Sequence, residues 1–251
     1  MMKPPALTKA KPAFISHAQD LGTDYHIYAD VPAGTRRKPM PAVLLMDGDF
    51  FFDTAVAAAR ELTKAGRIPP TVIIGVGYGA SFGKPGNYRG RDYTNTTAAE
   101  EPLSGGAGRF LDYLTGTLWK ELSARYPLRQ KGRVLAGHSL GSLLVLYALF
   151  QKEPFFDLAL ASAPSIWWDN RSILLQVSAL RKRQARLRGK LFLGVGEGDS
   201  PSMLGDLGLL EKQLKEHPFK GLSVCSQQFA DRDHYNSPPD TVRSGLADLL
   251  G

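Results

Sequence analysis

The chain has 251 residues, 43% of them hydrophobic and 22% charged, which is long enough for one large core and too rich in apolar residues for a disordered chain. Its longest apolar run, Leu143 to Phe150, falls short of the roughly 18–20 residues that cross a bilayer. A single cysteine, Cys225, excludes an intramolecular disulfide and a cysteine-based metal cluster. The formal net charge is +7, yet the densest basic run (Arg181, Lys182, Arg183, Arg186, Arg188, Lys190) carries no nucleic-acid motif and no interleaved aromatics. It reads as the solvated face of a surface helix, so neither nucleic acid nor a membrane is expected as a partner.

Residues 1–24 form an N-terminal segment without the apolar stretch of a signal peptide. This predicts a cytoplasmic protein, or a periplasmic or secreted one whose leader has been trimmed. From residue 25 to 251 a single α/β domain is expected. Tyr25 to Val31 alternates as a strand, turned by Pro32-Ala33-Gly34. Ala42 to Met46 is a continuous apolar run, as in a strand buried on both faces, and Phe50 to Lys64 reads as a helix. Thr71 to Val76 is another buried strand, followed by a long loop, Gly77 to Gly106, of a length usually reserved for function.

A helix is predicted over Gly108 to Tyr126, a short strand at Arg133 to Ala136, and an apolar helix at Leu140 to Phe150. Leu158 to Ser162 is a strand, and Pro164 to Leu187 an aromatic turn plus a basic helix. A strand at Leu191 to Val195, a helix around Leu204 to Glu216, a strand at Leu222 to Phe229 and a helix from Thr241 complete the order. Strands alternating with helices predict a mostly parallel sheet covered on both faces, with chemistry beyond the carboxyl ends of its strands.

Gly137-His138-Ser139-Leu140-Gly141 is a G-x-S-x-G pentapeptide between a buried strand and an apolar helix, the context a nucleophile elbow demands. Side chains at Gly137 and Gly141 would collide with neighbouring backbone, and the strained turn would push the Ser139 hydroxyl out above the sheet. A serine needs a general base. Of five histidines, His17 and His26 precede the first core strand, His138 lies inside the elbow and is expected to point away from Ser139, and His217 sits at a helix end. His234 follows the last predicted strand, which fits the chain order serine, acid, histidine. The acid should follow the strand at Leu191 to Val195, where Asp199 is preferred and Glu197 is the alternative. Such an acid would hold the imidazole in the right tautomer and stabilise the imidazolium.

Acyl transfer also needs two N–H donors aimed at an oxyanion. Those of Leu140 and Asp49 are the candidates, although Asp47-Gly48 is also a plain turn signal. Arg91, in the long loop, and one of the adjacent Trp167 and Trp168 are candidate substrate contacts; bracing of the loop and helix packing are the competing readings. No metal and no cofactor is expected, since no histidine–carboxylate cluster has ligand spacing.

With these residues in place, the chain resembles the esterase D-like branch of the α/β-hydrolases, and its siderophore-esterase subgroup in layout. The resemblance is carried by MDGDFFF at Met46 to Phe52, RGRDYT at Arg89 to Thr94, GHSLGS at Gly137 to Ser142, APSIWWDN at Ala163 to Asn170, GEGD at Gly196 to Asp199 and Asp233-His234. It implies an α/β-hydrolase fold and a serine esterase acting on small-molecule esters, either small acyl or aryl esters or catecholate siderophore lactones. An acyltransferase using the same serine, and a non-catalytic module using the basic surface, are the rival functions.

Overall fold

A computed structural model describes residues 7–33 and 38–251. Gly34 of the predicted turn and the first six residues of the N-terminal segment lie outside the described residues. The strands are β1 (Phe14–Ala18), β2 (Thr23–Asp30), β3 (Met40–Met46), β4 (Val72–Gly77), β5 (Leu128–His138), β6 (Leu158–Ser162), β7 (Arg186–Gly196) and β8 (Lys220–Phe229). The helices are α1 (Gly48–Lys64), α2 (Arg89–Asp92), α3 (Ala107–Tyr113), α4 (Trp119–Arg125), α5 (Leu140–Leu149), α6 (Trp168–Arg183), α7 (Pro201–Glu216) and α8 (Pro238–Leu250).

One sheet contains all of these strands in the order β1-β2-β4-β3-β5-β6-β7-β8. The pairs β1–β2 and β2–β4 are antiparallel and the rest are parallel. This is the α/β-hydrolase arrangement. All seven residues of β3 and all six of β4 are buried, because helices cover both faces of a parallel sheet and leave no polar side for alternation. At the β8 edge, by contrast, most residues are exposed.

Two apolar layers flank the sheet. On one face α1 and α8 pack Phe52, Ala55, Leu62 and Leu246 against Val43, Ile73 and Val134. On the other, Phe110, Leu114, Leu118 and Leu122 pack with α5 and α6. Helix α5 is apolar all round, as a helix enclosed by other elements must be. Its Leu143, Leu144, Leu146 and Leu149 are fully buried, each worth about 1.5–3 kcal/mol, and they anchor the turn that precedes it.

The differences from expectation are local. Phe14–Ala18, which falls in the N-terminal segment set apart from the domain, is an edge strand paired with β2, and β2 itself begins at Thr23, so that segment contributes to the sheet. The long helix after the loop is interrupted by a π turn at Leu114–Leu118 between α3 and α4. The basic stretch divides: Arg181, Lys182 and Arg183 end α6, whereas Arg186, Arg188 and Lys190 lie on β7. Inside α6, Asp169, Asn170 and Arg171 are left-handed (φ 42°, 52° and 64°), a reversal that no periodicity announces.

Candidate active site

The parallel strands end level with one another. His138 pairs with Ser162, and Gly196 with Phe229, so the turns after β5, β6, β7 and β8 gather at one edge of the sheet. Ser139 occupies the first of these turns at φ 58°, ψ −120°. A non-glycine residue there costs about 1–3 kcal/mol, which the surrounding contacts must offset. A Cβ on Gly137 would lie 2.4 Å from the Gly141 backbone, whereas one on Gly141 would meet Met46 Cβ at 3.3 Å. The expected collision is therefore severe at Gly137 and mild at Gly141. The Ser139 N–H donates to the Ser162 carbonyl (2.9 Å), and the Ser142 hydroxyl bonds the carbonyls of Gly137 and Ser162 (2.7 Å each).

His234 arrives from the loop after β8. Its Nδ1 is 2.9 Å from Oδ1 of Asp199, whose Oδ2 accepts the Gly196 N–H at 2.9 Å. The carboxylate is completely buried, while the imidazole is 24% exposed. An imidazole that donates from Nδ1 to a carboxylate leaves Nε2 as its proton acceptor. The loop is stiffened by Asp233, whose Oδ1 accepts the N–H groups of Tyr235 (2.8 Å) and Asn236 (3.1 Å). Glu197, the alternative acid, is exposed, and its backbone N–H is used by the Phe229 carbonyl.

Ser139 and His234 line one cavity of about 170 Å³, with Phe51, Phe82 and Arg89 around them and Tyr235 and Pro238 beside the histidine. His138 also lines this cavity, which corrects the expectation that it points away. Its ring lies 4.5 Å from that of His234, and its Nδ1 is 3.0 Å from Ser162 Oγ. Burial, then His234, then Arg89 hold the His138 imidazole well below its ordinary pKa, so it is neutral in the folded protein.

Leu140 and Asp49 are the first residue of α5 and the second of α1, where a backbone N–H has no acceptor within the helix. The Asp49 carboxylate itself is spent inward, on the Tyr28 hydroxyl (2.7 Å) and the N–H groups of Tyr78 (2.5 Å) and Gly79 (3.1 Å). What Asp49 has left to offer a substrate is its backbone N–H.

The remaining predicted contacts lie elsewhere. Arg91 does not line the cavity: its guanidinium bonds Asp92 (2.6 Å), the Leu21 carbonyl (3.1 Å), Thr23 Oγ1 (3.0 Å) and the Tyr25 hydroxyl (3.2 Å). Trp168 is buried and donates its Nε1–H to the Thr96 carbonyl at 3.1 Å. Trp167 is half exposed, its ring tilted by 55° against that of Trp168 with the centroids 5.9 Å apart, and neither ring is part of the cavity wall.

The arginine of the RGRDYT segment that does reach the cavity is Arg89. It forms a two-pronged pair with the buried Asp47 (Nε 3.1 Å, Nη2 2.9 Å) and lies over the Phe82 ring at 4.5 Å. Its sequence signal was there, in the same motif as Arg91, but the partner Asp47 is 42 residues away. Nothing in the sequence marked Phe51, Phe82 and Tyr235 as cavity walls, or Ser165, whose Oγ stands 3.2 Å from that of Ser139.

Among the described residues, no cluster of three His, Cys, Asp or Glu side chains could hold a metal ion, and no helix is long and apolar enough to cross a membrane. The family model described as Putative esterase matches residues 18–228. The siderophore triacetylfusarinine C esterase of Aspergillus fumigatus is 33% identical over 214 residues, covering 83% of this chain and 66% of that protein, just under two thirds. The ferri-bacillibactin esterase BesA of Bacillus subtilis is 32% identical over 244 residues, covering 88% of this chain and 83% of that one. Among solved structures, the BES protein from Bacillus cereus matches with a TM-score of 0.85 at 23% identity, over 100% of this chain and 98% of that one, a likeness of fold.

Proposed function

The chain belongs to the Putative esterase family, and on that premise we propose that it is a carboxylic ester hydrolase with Ser139 as nucleophile, His234 as general base and Asp199 as the carboxylate that holds the base. The observation that carries this reading is the shared cavity: the hydroxyl of a strained elbow serine opens into the same space as an imidazole whose Nδ1 is engaged by a buried carboxylate at 2.9 Å. Ser139 Oγ attacks the ester carbonyl as His234 Nε2 takes its proton, and the carbonyl electron pair moves onto oxygen. The N–H groups of Leu140 and Asp49 receive that charge. The imidazolium, stabilised by Asp199, then protonates the leaving alkoxide, and an acyl group remains on Ser139. Water, deprotonated by His234, releases it as the acid. No step requires a metal or a cofactor.

The substrate class proposed is a siderophore ester, supported by the relatives above, which are named for siderophore esters of two kinds. Phe51, Phe82 and Tyr235 offer flat apolar walls to an aryl or acyl arm, and Arg89 offers the cavity's positive charge. At about 170 Å³ this open cavity suits one arm of such a molecule, with the remainder outside. The test compares wild type with Ser139→Ala on p-nitrophenyl acetate and on the trilactone of a catecholate siderophore. Hydrolysis of both by wild type and loss of about 10³-fold or more in the variant is expected. Equal rates in the two proteins would end the nucleophile assignment.

A further inference from the structure

Ser139 Oγ has one hydrogen-bond partner among the described residues, and it is not His234. It is the hydroxyl of Ser165, at 3.2 Å. Ser165 is fully buried, and its Oγ makes no other hydrogen bond among the described residues. Its position is fixed by backbone. Its N–H donates to the Ser139 carbonyl (3.3 Å), its carbonyl accepts the Trp168 N–H (3.2 Å), and the turn that presents it passes through Ala163 at φ 44°, tied to Gly194 at 2.7 Å. A left-handed alanine is a strained conformation held by its surroundings. Two strained turns, one after β5 and one after β6, thus bring two hydroxyls face to face.

We propose that Ser165 is a further catalytic residue, whose hydroxyl donates to Ser139 Oγ while negative charge develops on that oxygen. The inference rests on the nucleophile reading above. The geometry gives its physical basis. An O–H···O bond between neutral hydroxyls settles near about 2.7–2.8 Å, so a pair at 3.2 Å is loose. When the acceptor becomes anionic the same bond contracts to about 2.5–2.7 Å and strengthens roughly two-fold. The contact is therefore weak in the resting enzyme and strong in the transition state, which is the kind of interaction that raises a rate. Because Ser165 is out of water, its proton has no competing solvent acceptor.

In acylation the Oγ–H proton passes to His234 Nε2 and the Oγ–carbon bond forms, while the Ser165 O–H bond stays intact and only its hydrogen bond tightens. Once Oγ is an ester oxygen it is a poor acceptor and the contact relaxes. In deacylation the Oγ–carbon bond breaks, its electron pair returns to Oγ, and Ser165 again donates until His234 hands the proton back. One hydroxyl serves both half-reactions without being consumed.

The test is Ser165→Ala, which removes one buried oxygen and adds no volume. The second-order rate of labelling by a fluorophosphonate probe and the kcat for p-nitrophenyl acetate are measured from pH 5 to 9, together with Tm. The expected result is a plateau lowered by about ten-fold or more in both rates, with KM within two-fold and an unchanged midpoint in the pH profile. A plateau equal to or above wild type overturns the proposal. So does a drop accompanied by a shifted midpoint, since the loss would then run through His234. If Ser139→Ala retains full activity the nucleophile reading has failed; if that variant is inactive while Ser165→Ala matches wild type, this inference alone has failed.

Discussion

Arg89 and Arg91 sit two positions apart on the four-residue helix α2, and they belong to different parts of the molecule. Arg89 points to the cavity, pairs with Asp47 and covers Phe82. Arg91 turns into the protein and closes a network in which Asp92 also accepts the hydroxyls of Tyr25 (2.6 Å) and Tyr78 (2.9 Å). The reason is helical geometry: residues i and i+2 are about 200° apart around the axis, so they cannot share a face. Each guanidinium neutralises a buried carboxylate, at 1% exposure for Asp47 and 0% for Asp92. One short helix therefore does two jobs, with one face shaping the site and the other binding the long loop to β2.

The largest effect is expected of Arg91→Met. It leaves Asp92 buried without its cation, and a loss of about 3–5 kcal/mol is expected in urea unfolding. Activity per folded molecule should stay within about three-fold; a larger loss would put Arg91 at the site after all. Arg89→Met comes next. Its cost should be about 1–3 kcal/mol, because water at the cavity can resolvate Asp47. Here kcat/KM on an aryl ester should fall about ten-fold or more, and adding Asp47→Asn should recover part of the stability in a double-mutant cycle.

The two faces should also fail at opposite ends of the pH scale. His138, whose folded pKa is depressed, stays unprotonated while the unfolded chain takes up a proton below about pH 6.5. The unfolded state then binds more protons, so stability falls as pH drops through that window, by at most about 1.4 kcal/mol per pH unit, and His138→Asn should flatten that limb of a Tm–pH curve. Tyr25 and Tyr78 behave in the reverse sense. Burial first, aided by Asp92 at Tyr25 and by Tyr93 and Asp92 at Tyr78, pushes both phenols well above their ordinary value of 10. Above about pH 10 the unfolded tyrosines lose protons that the native ones keep, so stability falls as pH rises. Tyr25→Phe should flatten that second limb. The smallest effect belongs to Trp167→Ala. A half-exposed ring off the cavity wall should change stability by no more than about 0.5 kcal/mol and kcat/KM by less than about two-fold. A larger drop in kcat/KM would bring Trp167 to the substrate.

The alternation of strands and helices, the elbow at Ser139, and the positions of Asp199 and His234 were all legible in the chain itself. They depend on local patterns (an apolar run, a glycine, a turn) and on the rule that a parallel sheet delivers its loops to one edge. The contact of His234 with Asp199, the inward turn of Arg91, the cavity-facing ring of His138 and the meeting of Ser139 with Ser165 were decided only when the elements packed. Each hinges on the rotation of a side chain toward a partner 24 to 70 residues away, as His138 reaches Ser162 across 24 residues, Asp199 is set 35 residues from His234 and Arg91 reaches back 70 residues to Leu21. Sequence spacing encodes which face of its own element a residue occupies; which neighbour that face meets is a property of the assembled core.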